Sequence, residues 1–97
     1  MHKLIPAAII ATASLLAPAA ALAADMPGEG IFQHHCQACH AVDHKKFGPA
    51  VKDMSRDTAV LKQFITHGKG MMPNFSNKLS AEQVDQVVAY LQSQQGK

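Results

Sequence analysis

Val84, Val87, Val88 and Leu91 recur at the spacing of one helix face, and Ser80 with Gln83 just ahead of them reads as a capping box. That pattern predicts a helix from Ala81 to about Ser93. A shorter helix, about Asp57 to Thr66, places Val60, Leu61, Phe64 and Ile65 at i, i+1, i+4, i+5 and stops at Gly68. A third, about Gly28 to Cys39, has Ile31 and Phe32 as its apolar face. These stripes are read as core positions. Ala41 to Ser55 reads as a loop with a Phe47-Gly48-Pro49 turn. Nothing alternates with the period of a strand, so the expected fold is all-α, three short helices joined by long loops.

The first two dozen residues follow a different pattern. Met1, His2 and Lys3 make a short basic start, and Leu4 to Ala24 holds no charge. Ala21-Leu22-Ala23 places small residues at −3 and −1 of a cleavage site, the form of a secretory signal peptide over residues 1–23. A retained anchor would need roughly 20 apolar residues. This run is mostly alanine and is interrupted by Pro6 and Pro18. No cysteine stands at the junction to take a lipid.

Removing residues 1–23 of 97 leaves one domain too small to hold itself by a hydrophobic core, because below about 70–80 residues a disulfide, metal or other staple is the rule. The chain has no tryptophan, one tyrosine (Tyr90) and two cysteines. A Cys36–Cys39 disulfide would close a tiny loop and stabilise little. Loss of Lys3 leaves eight basic residues against seven acidic ones, and no basic stripe with interleaved aromatics points to nucleic acid.

Cys36-Gln37-Ala38-Cys39-His40 supplies the missing staple. Cys-x-x-Cys-His is the haem attachment sequence of c-type cytochromes. On a helical turn, positions i, i+3 and i+4 share one face. Both sulfurs then reach the two vinyl groups of one porphyrin edge, and His40 falls under the iron. A thioredoxin-like pair would need a βαβ context, which is missing. A zinc site would need further ligands, and His34, His35, His44 and His67 are numerous enough to offer them. The export signal, the small core and a downstream methionine favour haem.

Gly68-Lys69-Gly70-Met71-Met72-Pro73 offers that methionine. A thioether opposite the histidine favours reduced iron and raises its potential. Pro73 holds the residue before it extended, and successive side chains of extended chain point to opposite sides. Met72 is therefore the expected ligand and Met71 the rival. His44 is only four residues past His40, and His67 sits just before the glycine loop. Both read as solvated histidines, as do His34 and His35.

With Gly28 and Phe32 ahead of Cys36-x-x-Cys39-His40, then Gly48-Pro49, Met72-Pro73, Leu79-Ser80 and Val88-Ala89-Tyr90-Leu91, residues 24–97 resemble the small bacterial monohaem class I cytochromes c. The resemblance implies a class I cytochrome c fold around one covalently bound haem c. It places Gly28 and Phe32 where the first helix crosses the last near Tyr90-Leu91, a close approach that glycine allows. It also implies that the Pro49 carbonyl accepts from the ring N–H of His40, fixing tautomer and orientation. The chain departs from the family in its double methionine and its short middle.

The expected function is that of a periplasmic single-electron carrier, soluble and monomeric, not an enzyme. Cys36 and Cys39 bind the haem, His40 and Met72 ligate its iron, and redox proteins of the periplasm are the partners. Two alternatives stand beside it. One is a sensor or peroxidase-like protein with an open sixth site; the other is a fixed electron-transfer subunit of a larger redox enzyme. Lys45, Lys46, Lys52, Lys62, Lys69 and Lys78 are available to steer an acidic partner, although ordinary solvated lysines explain them better.

Overall fold

The computed structural model describes residues 26–96, and its longest helix is the element on which the others pack. The signal segment proposed for residues 1–23 lies outside the described residues. Helix α1 spans Pro27–His35, α2 Thr58–His67 and α3 Ala81–Gln95, with one 3-10 turn at Val51–Asp53. The described residues contain no strand, only an isolated antiparallel bridge between Lys69 and Met72. None of their helices is long and apolar enough to cross a membrane.

Each helix starts where its sequence gives it a reason to. Pro27 opens α1 in the first turn, where its missing N–H costs no hydrogen bond. Asp57 caps α2 by accepting from the Val60 N–H at 3.1 Å. Ser80 and Gln83 form the expected box at α3, with Gln83 N–H donating to Ser80 Oγ (3.1 Å) and Ser80 N–H donating to Gln83 Oε1 (2.9 Å). Such a cap contributes about 1 kcal/mol. Gly68, at φ +76°, ends α2 in the left-handed region that favours glycine.

The core is one cluster. Phe32 of α1, Leu61 and Ile65 of α2, and Val84, Val87, Val88, Tyr90 and Leu91 of α3 meet Val51, Phe75 and Leu79 from the loops. All four positions of the α3 stripe are buried as expected. The crossing of α1 over α3 is as close as the resemblance implied. A Cβ on Gly28 would collide with the backbone carbonyl of Gln86, and the Phe32 and Tyr90 rings meet at 5.5 Å.

Three expectations are corrected. Helix α1 stops at His35 rather than Cys39. Phe32 O accepts from both Cys36 N–H (2.8 Å) and Gln37 N–H (2.9 Å), and the second bond, five residues long, breaks the regular ladder. On α2 only Leu61 and Ile65 are buried; Val60 and Phe64 remain 38% and 37% exposed. A short helix packed along one i, i+4 row buries that row alone. Finally, the loop read at Ala41–Ser55 contains the 3-10 turn, with Val51 wholly buried.

Candidate haem site

Past the end of α1 the chain keeps a helical step. Cys39 N–H and His40 N–H both donate to Cys36 O, at 3.1 and 2.9 Å. The attachment segment is thus a turn appended to the helix, with Cys36 half-buried and Cys39 exposed. Burial, reinforced by the neighbouring Cys39, pushes the Cys36 thiol up to about 11. A thioredoxin-like pair needs the opposite shift, towards a ready thiolate. Nor do the described residues gather three His, Cys, Asp or Glu side chains as a zinc site would require.

His40 is held from two sides. Its Nδ1 lies 2.9 Å from the Pro49 carbonyl. A carbonyl can only accept, so the proton sits on Nδ1 and the lone pair of Nε2 is left for a metal. Behind the ring lies Gly48, where any Cβ would strike His40 Cε1. The ring therefore occupies a slot that only glycine leaves open. Four backbone bonds set the two strips of chain around this slot. Gly48 N–H donates to Cys39 O (2.8 Å), Val51 to Ala41 (2.8 Å), Lys52 to Val42 (3.1 Å), and Lys46 to Gly48 (3.0 Å).

The methionine pair spans the end of a tight turn, with Met71 in the turn and Met72 in the antiparallel bridge that closes it. Lys69 N–H donates to Met72 O and Met72 N–H to Lys69 O, at 3.1 and 3.0 Å, leaving Gly70 (φ +60°) and Met71 at the tip. Met71 is 97% exposed, whereas Met72 is half-buried and packs against the core. Phe75 N–H donates to Ile65 O at 3.0 Å, which anchors the loop beyond Pro73 to the end of α2.

The remaining histidines take other roles. His44 Nδ1 lies 2.9 Å from Asp43 Oδ1 on the surface, and His67 and His34 are exposed. His35 departs from the expected solvated state: it is half-buried, edge-on to Phe75 at 5.9 Å. Four of the six lysines have local partners. Lys46 Nζ donates to Gln37 O (2.8 Å) and Lys62 pairs with Asp85 (2.9 Å), while Lys69 and Lys78 lie over the Phe64 and Phe75 rings.

The donor set fits a haem: two cysteines three residues apart, an imidazole with a fixed tautomer, and a thioether on a separate loop. Sequence reasoning missed Gly48 as the floor of the histidine slot, although the Gly-Pro turn signal pointed at the right residue. It also missed the burial of Gln95, which nothing in a glutamine-rich helix end reveals.

Residues 23–91 match the family described as "Cytochrome C oxidase, cbb3-type, subunit III". The chain is 36% identical over 76 residues to cytochrome c6 of Aphanizomenon flos-aquae, a match covering 69% of this chain and 86% of that protein. The structure resembles that of cytochrome c6 from the diatom Phaeodactylum tricornutum with a TM-score of 0.63 and 30% identity, over 72% of this chain and 92% of the other. It is also 36% identical over 83 residues to dihydro-heme d1 dehydrogenase of Pseudomonas aeruginosa, where the match covers 79% of this chain but only 17% of that protein.

Proposed function

This chain belongs to the class I cytochrome c family and is a haem-c electron carrier; from that premise we propose that it is an exported, periplasmic shuttle whose single haem is bound through Cys36 and Cys39 and ligated by His40 and Met72. When bound, haem c supplies an iron that exchanges one electron at a time. The protein's part is to hold that iron closed. The observation that supports this reading most is the His40–Pro49 contact at 2.9 Å. It leaves Nε2 as the nitrogen free for a metal, and the missing side chain at Gly48 gives the ring room to stand there.

Met72 is the residue of the pair with its side chain against the core, and a thioether there favours the reduced state. With His40 and Met72 both holding the iron, no coordination site would be left to a substrate, which would suit electron transfer rather than turnover. The attachment cysteines suit a chain this small, because a thioether-tethered group is not lost when the loops open.

The test is to express the full chain with its export segment and run it on a denaturing, reducing gel with a haem stain. Haem should migrate with the polypeptide. A colourless, stably folded product would overturn the reading, and ready carbon monoxide binding by the reduced wild type would replace it with the open-site alternative.

A further inference from the structure

Gln95 is the last residue of α3 and, among the described residues, the only buried polar one, at 4% exposure. Its side-chain nitrogen lies 2.9 Å from Ser55 O, 3.2 Å from Val51 O and 3.3 Å from Met54 O. Three carbonyls around one end of an amide admit only the nitrogen there, which settles the orientation of the group. Its oxygen, Oε1, is buried without a hydrogen-bond partner. A buried acceptor left unpaired is costly, so the donor end must offset that cost. Gln95 is accordingly placed to hold one thing, the segment Val51–Ser55.

That segment is the one that positions His40. Pro49, two residues upstream of Val51, accepts from His40 Nδ1, and the Val51 and Lys52 N–H groups pair with Ala41 and Val42 just beyond His40. Ala50 and Val51 are essentially without solvent exposure. The strip is thus gripped on one side by the residues around His40 and on the other by Gln95. The neighbouring Gln92 makes a useful contrast. Its nitrogen reaches Arg56 O (3.1 Å) and Thr58 Oγ1 (2.9 Å), at the start of α2 and away from the Pro49 strip.

We propose that Gln95 is a positioning residue for the proximal ligand: by clamping the carbonyls of Val51, Met54 and Ser55 it fixes the Pro49 carbonyl against His40 and so tunes the iron's potential. This rests on His40 being the ligand. A firm Nδ1–H···O bond makes the imidazole a stronger electron donor. Slackening it weakens donation to the oxidised iron, and the reduction potential rises.

The experiment compares wild type, Gln95→Met, Gln95→Asn and Gln92→Met as holoproteins. The readouts are redox titration and the exchange of the His40 Nδ1 proton with deuterium, followed by proton NMR. Gln95→Met removes the donor at similar side-chain length, and Gln95→Asn keeps an amide that is too short to reach. Both should raise the potential and speed the exchange, Gln95→Asn less so. Gln92→Met should change neither. If Gln95→Met does not fold, Gln95→Asn decides on the same readouts. Variants that lose stability but keep wild-type potential and exchange overturn the clamp, as does a fall in potential or an equal shift in Gln92→Met. Absence of iron-shifted His40 resonances in the wild type would instead overturn the ligand reading, and the clamp with it.

Discussion

The His40 side and the Met72 side of the site are built in different ways. Around His40, a ring hydrogen bond, three backbone bonds between residues 39–42 and 48–52, a fourth from Lys46 to Gly48 and the Gly48 slot hold the imidazole with little freedom. Around Met72 there is one reciprocal backbone pair, two glycines at positive φ and a half-buried side chain. The first side is fixed by directional bonds before any ligand arrives. The second is a shaped loop whose methionine is held by packing. Segments with few buried contacts open first. On the proposed ligation, the methionine should therefore be the ligand that lets go while the histidine and the thioethers remain. In a denaturant titration, the methionine–iron absorption band should vanish before the far-ultraviolet helix signal. Coincident loss of both would mean that the two sides are equally firm.

The largest effect should come from removing what joins both sides. Cys36→Ala with Cys39→Ala leaves a domain below the size that a bare core supports. Far-ultraviolet circular dichroism of that variant should show most of the helix lost. Native helix content without haem would mean that the cluster around Val51 and Val87 suffices.

Next in size is a methyl group placed on each side in turn. Gly48→Ala drives a Cβ into the His40 ring, and overpacking of this kind costs about 3 kcal/mol. Gly70→Ala meets nothing within 4 Å and bears only the left-handed backbone conformation, at about 1 kcal/mol. Chemical denaturation of the holoproteins should rank them in that order, and Gly48→Ala alone should disturb the histidine's NMR signals. Equal costs would dissolve the contrast. Smallest of all is Met71→Ala, a fully exposed change expected to stay within about 0.5 kcal/mol of wild type.

The contrast also tracks what a reader of the sequence can see. Val84, Val87, Val88 and Leu91 announced α3, and Ser80 with Gln83 announced its first residue, because periodicity and capping are local properties of the chain. The attachment turn was legible for the same reason. Its helical register was over-extended to Cys39 because a five-residue bond from Gln37 to Phe32 leaves no trace in residue types. The split of the α2 stripe depended on which row α3 would cover. Gln95 depended on three carbonyls brought together from some forty residues away in sequence. The Met71–Met72 choice fell between these cases. Pro73 singles out Met72, which the structure places in the bridge with Lys69 and half-buried, while the turn that puts Met71 at the exposed tip depends on Gly70.

The identity of the sixth ligand tests the account most directly, by the methionine–iron band at the red end of the visible spectrum of the oxidised holoprotein in wild type, Met71→Ala and Met72→Ala. The band should be present in the wild type and in Met71→Ala. In Met72→Ala it should be gone, with a lower reduction potential and iron open to carbon monoxide. A band that survives in Met72→Ala and disappears in Met71→Ala, or one missing from the wild type, would contradict the account.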